Sequence, residues 1–173
     1  MSPDEPRHGL GGTSEHFAAY LDFYREDIIL GVLALEDEAR RTTRVPSGWT
    51  PIELLSHVLH MEQRWFVWGF LGEAVAEPWG DWTTDEPWAD DADPAKRWHV
   101  ADGVSAEDLA ERLRGIGRRT TDLLRGHSLE ETAAEGERFD GDPADLRWIC
   151  FHVLQEYARH AGHLDIVVEL ARG

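Results

Sequence analysis

The sequence predicts an all-α protein of four helices in one domain. Three observations carry this. Four segments repeat apolar residues at steps of three and four, the period of a helix with one buried face. Helix start and stop signals bracket most of them. No stretch alternates with the period of two that a half-buried strand requires, and no internal repeat is visible.

The chain has 173 residues, enough for a single domain with a full core. Residues 1–12, MSPDEPRHGLGG, mix Pro, Gly and charge without a period and read as a flexible tail ahead of a single domain over 13–173. Thr13 or Ser14 is expected to cap the first helix. From His16 to about Thr43, Phe17, Tyr20, Leu21, Tyr24, Ile28, Val32 and Leu35 form its apolar stripe, and Val45-Pro46-Ser47-Gly48 ends it as a turn cluster. Thr50-Pro51 with Glu53 is a helix start, with Thr as cap, Pro at the first helical position and Glu closing a capping box. This second helix runs to about Leu71 through Leu54, Leu55, Val58, Met61, Trp65, Val67 and Trp68, with His57 on its apolar face and His60 a turn later.

Residues 72–104 break the pattern. They hold Pro78, Pro87 and Pro94 beside Trp79, Trp82, Trp88 and Trp98. Disordered segments are poor in aromatics, so this Trp-rich stretch is expected to pack over one end of the helices. It also suits a long crossover between helices that are not antiparallel neighbours. Its tryptophans are either core filler or the wall of a pocket. Ser105, with Asp108 behind it, caps a third helix carrying Leu109, Leu113, Ile116, Thr120, Leu123 and Leu124, and Gly126 ends it. Residues 127–142 read as an acidic linker with a turn of helix near 128–134. Asp142-Pro143 is expected to open the fourth helix, which reaches the C-terminus.

Charge and composition exclude several functions. A formal charge of −17 repels phosphate, so neither nucleic acid nor an anionic membrane surface is an expected partner. No apolar run approaches the roughly 20 residues of a membrane span, and the N-terminus lacks the apolar core of a signal peptide. Cys150 is the only cysteine, which excludes an internal disulfide and fits a cytoplasmic location.

The residues that could carry chemistry lie on the second and fourth helices. His152, Glu156 and His160 are spaced i, i+4, i+8, and His163 follows three residues on. On a helix these four fall within an arc of roughly 80°, beside an apolar stripe. Burying them is unfavourable unless something pairs them, and a divalent metal would. If the second helix faces the fourth, His57 joins Glu156 and His160. Two imidazoles and a carboxylate suit zinc first, and also nickel, manganese or iron. Three protein ligands leave a coordination position for water or substrate. His60 competes with His57, while His152 and His163 either join the site or pack as ordinary helix histidines. Asp165 is a candidate to orient a ligand histidine from behind. Glu62 and Arg64 read as solvated or ion-paired. Cys150, between Ile149 and Phe151, reads as an inert core residue sooner than a nucleophile.

The stretch GWTPIELLSHVLHMEQRWF, Gly48 to Phe66, with EYARHAGHLD, Glu156 to Asp165, resembles the DinB superfamily. It is most similar to an actinobacterial DinB-like branch akin to the mycothiol-dependent maleylpyruvate isomerase and to thiol S-transferases. The resemblance implies a four-helix bundle of up-down-down-up topology, with the Trp-rich crossover between helices two and three. It implies metal ligands at His57, Glu156 and His160. Many members carry a histidine where Glu156 stands, and the mycothiol-dependent isomerase is similar in having glutamate. It further implies mycothiol as co-substrate and a small electrophile as its partner, in an S-transferase or isomerase. Activated water, in a hydrolase, and a non-catalytic metal-binding bundle are the alternatives. A homodimer through exposed apolar helix positions is compatible with each.

Overall fold

The computed structural model describes residues 3–84, 97–136 and 138–172. Among them the fold is all-α, without a strand. Its elements are α1 (Thr13–Leu33), a single-turn α2 (Asp37–Arg40), α3 (Pro51–Glu62) running on into a π-helical stretch (Gln63–Phe70), α4 (Ala106–Gly126) and α5 (Leu146–Arg172). The expected first, second, third and fourth helices are α1, α3, α4 and α5. Trp88, Pro87 and Pro94 lie outside the described residues.

Where the chain carries its own caps, the helices start as the sequence predicts. Thr50 accepts from the Glu53 N–H, and Glu53 accepts from the Thr50 N–H, closing the capping box ahead of Pro51. Ser105 accepts the Asp108 N–H at 3.0 Å and opens α4. Elsewhere the boundaries move. Gly12 rather than Thr13 or Ser14 is the N-cap of α1, and the Glu15 carboxylate accepts the Gly11 N–H. Helix α1 stops at Leu33, well short of Thr43. Arg40 folds back and donates to the carbonyls of Val32, Leu33 and Leu35, taking up acceptors that the helix end leaves open.

The fourth helix begins at Leu146 rather than Pro143. Asp145 is its effective cap, accepting the Trp148 N–H at 2.7 Å. Among its described residues the linker before it forms no helix, only a single turn in which Glu131 donates to the Ser128 carbonyl at 3.0 Å. Instead Thr132 and Asp145 form an isolated antiparallel bridge, and Ala133 donates to the Ala144 carbonyl.

The core runs between the four long helices. Leu21, Ile28 and Val32 of α1, Leu54, Leu55 and Val58 of α3, Leu109 and Leu113 of α4, and Ile149, Val153 and Tyr157 of α5 are buried in one cluster. Helix α1 packs chiefly on α5 and α4, and α3 packs on α4 and α5. Polar residues penetrate this core. Glu62, wholly buried, accepts from Arg25 through both oxygens, from Thr120 at 2.6 Å and from Tyr157 at 2.5 Å. Four helices are thereby joined at one carboxylate. Burial pulls the Arg25 pKa down, but the Glu62 charge outweighs it, so the guanidinium stays charged. A Cβ at position 117 would overlap that guanidinium, which explains a glycine in the middle of α4. Both Glu62 and Arg64, which could have been solvated or ion-paired, are buried and ion-paired.

Directly after Glu62 the helix widens to π winding, which is uncommon and concentrates at functional sites. An α-helical period would put Trp65 and Trp68 in the core. The wider turn buries Arg64, Phe66 and Phe70 and leaves Trp65 and Trp68 only partly buried.

Candidate metal centre

Two rigid helices and one folded loop build the site. Helix α3 supplies His57 and α5 supplies Glu156 and His160, one turn apart. One ligand atom from each of the three lies within 4.8 Å of the others, close enough to share an ion. His57 and His160 are buried and Glu156 is partly buried. Nε2 of His160 lies 3.3 Å from Glu156 Oε2. That contact holds the Glu156 carboxyl below its ordinary value against the opposing effect of burial, with Arg159 adding to it. The other ring nitrogen of His160, Nδ1, is buried without a hydrogen-bond partner among the described residues.

The loop after α3 orients His57. Trp82 and Trp98 pair as an isolated bridge, with His99 donating to the Asp81 carbonyl at 2.8 Å, and this fold brings Asp81 under the helix. Asp81 Oδ2 stands 2.8 Å from His57 Nδ1. An ionised carboxylate only accepts, so His57 carries its proton on Nδ1 and presents the Nε2 lone pair. Asp81 is itself buried and fixed by Arg64, at 2.5 and 3.1 Å. Burial raises its pKa, but the hydrogen bonds from His57 and Arg64 win and hold the carboxyl below its ordinary value. His57 is pushed down to about 4, first by burial, with Asp81 opposing. It is therefore a neutral imidazole at pH 7, the form that binds a metal. Trp98 stacks on its other face, with ring centroids 4.0 Å apart.

These residues fit a divalent metal. The donors are two nitrogens and a carboxylate oxygen, and His57 has the carboxylate partner that ligand histidines commonly carry. Asp81→Asn is expected to weaken zinc binding about 10- to 100-fold, the usual consequence of losing such a partner, as read by competition with a chromogenic chelator.

The other candidates stand apart. His60 is buried, but its Nδ1 lies 2.8 Å from the Ser56 carbonyl, and its ring is not part of the cluster of His57, Glu156 and His160. His152 stacks on Trp148 at 5.1 Å and touches Trp65, forming pocket wall. His163 is exposed, 5.8 Å ring to ring from His160. Asp165 is exposed, and the orienting carboxylate is Asp81 instead. Cys150 is buried, and burial pushes its thiol up to about 12, which leaves it inert. Asp81 belongs to no motif or period in the sequence. The one signal for it was a carboxylate set between aromatics in Trp79-Gly80-Asp81-Trp82.

A cavity of about 340 Å³ opens beside these side chains. His57, Glu156 and His152 line it together with Trp65, Trp79 and Trp82, and Arg64, Arg138 and Arg159 complete the wall. The loop tryptophans thus take both expected roles, Trp98 packing against His57 and Trp79 and Trp82 walling the pocket. None of the described helices is long and apolar enough to cross a membrane.

A family model described as Mycothiol-S-transferase matches residues 16–173. No curated protein and no solved structure matches the chain. With a match that runs from the first turn of α1 to the last residue, the chain belongs to the mycothiol-S-transferase family.

Proposed function

We propose that this protein is a metal-dependent S-transferase that joins the thiol of mycothiol to a small electrophile. The metal, zinc in the first instance, would be held by His57, Glu156 and His160. The observation that carries this reading is the convergence of those three side chains from α3 and α5 beside an aromatic pocket. The family match supplies the thiol. The long helices would form an up-down-down-up bundle, a reading supported by the way α1 and α3 each pack against both α4 and α5.

A divalent ion bound there would lower the pKa of a coordinated thiol and supply thiolate at neutral pH. The protein's own residues do the rest. Asp81, fixed by Arg64, keeps the His57 proton on Nδ1 and its ring in one orientation. Trp98 blocks the ring's other face. Trp65, Trp79 and Trp82 offer apolar walls that exclude water from around the electrophile. The π-helical turn sets Trp65 into this wall while Arg64 remains beneath it.

The test is a thiol-transfer assay on zinc-loaded protein with mycothiol and 1-chloro-2,4-dinitrobenzene. Thioether should form with release of chloride, and chelation should return the rate to that of the uncatalysed thiol. A protein that binds zinc yet consumes no electrophile in a panel of such compounds would instead be a metal-stabilised binding protein.

A further inference from the structure

Among the described residues, the pocket beside His57 and Glu156 is richer in positive than in negative groups, on a chain whose formal charge is −17. Three arginines line it, against Glu156 in the lining and Asp81 behind His57. Two of the three have partners. Arg64 donates to Asp81 and to the Pro78 carbonyl. Arg159 lies 3.3 Å from Glu156 Oε1, with about half its side chain exposed.

Arg138 differs from both. Among the described residues no carboxylate pairs with it, and its Nε is buried without a hydrogen-bond partner. Its guanidinium carbon lies 4.3 Å from the Trp65 ring centre and 6.0 Å from that of Phe139. Those rings fix the side chain and satisfy part of the charge, but they offer nothing to the N–H donors at the guanidinium edge. Arginine does not deprotonate in proteins, so a partly buried guanidinium without a counter-ion is unfavourable until an anion arrives. The two terminal nitrogens, which unlike Nε are not sealed from solvent, form a fork that matches a carboxylate through two parallel hydrogen bonds.

We propose that the pocket takes a carboxylate-bearing substrate, with the carboxylate on Arg138, Arg159 as a second cation nearby, and the organic body against Trp65, Trp79 and Trp82. That the bound acid is an electrophile rests on the transferase reading; that the pocket selects an anion does not. Arg138 is then the residue that sets specificity.

Cinnamate and cinnamamide test this, since they share an aromatic body and differ in charge. Binding is read by tryptophan fluorescence and calorimetry on zinc-loaded protein, with the zinc content of every variant measured. The acid should bind about tenfold more tightly than the amide, as one charge-assisted pair provides. Arg138→Gln should remove that preference, and Arg138→Lys should retain part of it, because a lysine keeps the charge without the fork. Equal affinity for acid and amide, no measurable binding of the acid, or a preference that survives Arg138→Gln would each overturn the proposal. The last outcome would put the carboxylate on the metal. Loss of zinc-dependent thiol transfer with the acid preference intact would instead remove the transferase reading and leave the anion site standing.

Discussion

Replacing His160 by alanine is expected to strip the protein of metal. Wild-type protein purified without chelator should carry about one divalent ion per chain, and His160→Ala less than about a tenth of that by elemental analysis. Losing one orienting partner of a ligand already lowers affinity about 10- to 100-fold, and losing a ligand outright removes more. Only His57 and Glu156 would remain, too few for a site that binds through three side chains. His163→Ala is the matching control. It removes an imidazole three residues further along the same helix, but from an exposed position outside the cluster, and should leave the metal content unchanged. Equal metal loss in both variants would mean that the ligand set is drawn wrongly.

Arg25→Met is expected to be the most damaging single change to stability, lowering it by about 3–5 kcal/mol in a denaturant titration. The figure follows from what is left behind. Glu62 is wholly buried, and Arg25 is its only cationic partner among the described residues. The hydroxyls of Thr120 and Tyr157 would remain as donors, without a charge to balance the carboxylate. Removing both charged partners, in Arg25→Met with Glu62→Leu, should recover part of the loss, because an apolar pair need not be less stable than a buried ion pair, while the buried Thr120 and Tyr157 hydroxyls lose their acceptor. The cluster also touches function. Tyr157 follows Glu156 in α5, and its hydrogen bond to Glu62 ties that turn of α5 to the end of α3. The double variant loses that hydrogen bond with Glu62 and should loosen metal binding even as it recovers stability, whereas the single variant keeps the bond.

The parts of the fold legible in the sequence are those encoded by neighbours along the chain. Thr50-Pro51 with Glu53, and Ser105 with Asp108, satisfy their own helix starts locally, and α3 and α4 begin where those residues stand. The end of α1 depends on Arg40 returning to carbonyls five to eight residues earlier, and no local pattern announces that. Asp142-Pro143 looks as good a start as Asp145. What decides between them is the bridge from Asp145 to Thr132, a contact outside the helix. The π-helical turn has no sequence signature at all.

The same division holds at the site. Glu156 and His160 are one turn apart on a helix, so their shared face is readable from spacing. His57 faces them only through packing, and its choice over His60 came from resemblance. Asp81 and Arg138 sit in segments without a period, where spacing carries no information, and both were invisible until the loops were folded around α3. Asp165 is a candidate from sequence because it lies on the same helix as Glu156 and His160. It points to solvent, and the carboxylate that orients His57 comes from the loop instead.

The most direct measurement is an anomalous difference map from crystals of the zinc-loaded protein, collected across the zinc edge. The prediction is one strong peak bounded by His57, Glu156 and His160, with nitrogen and oxygen ligands at about 2.0–2.2 Å. Full zinc loading with no peak between those three side chains, or with the peak on His60, His152 or His163, would contradict it.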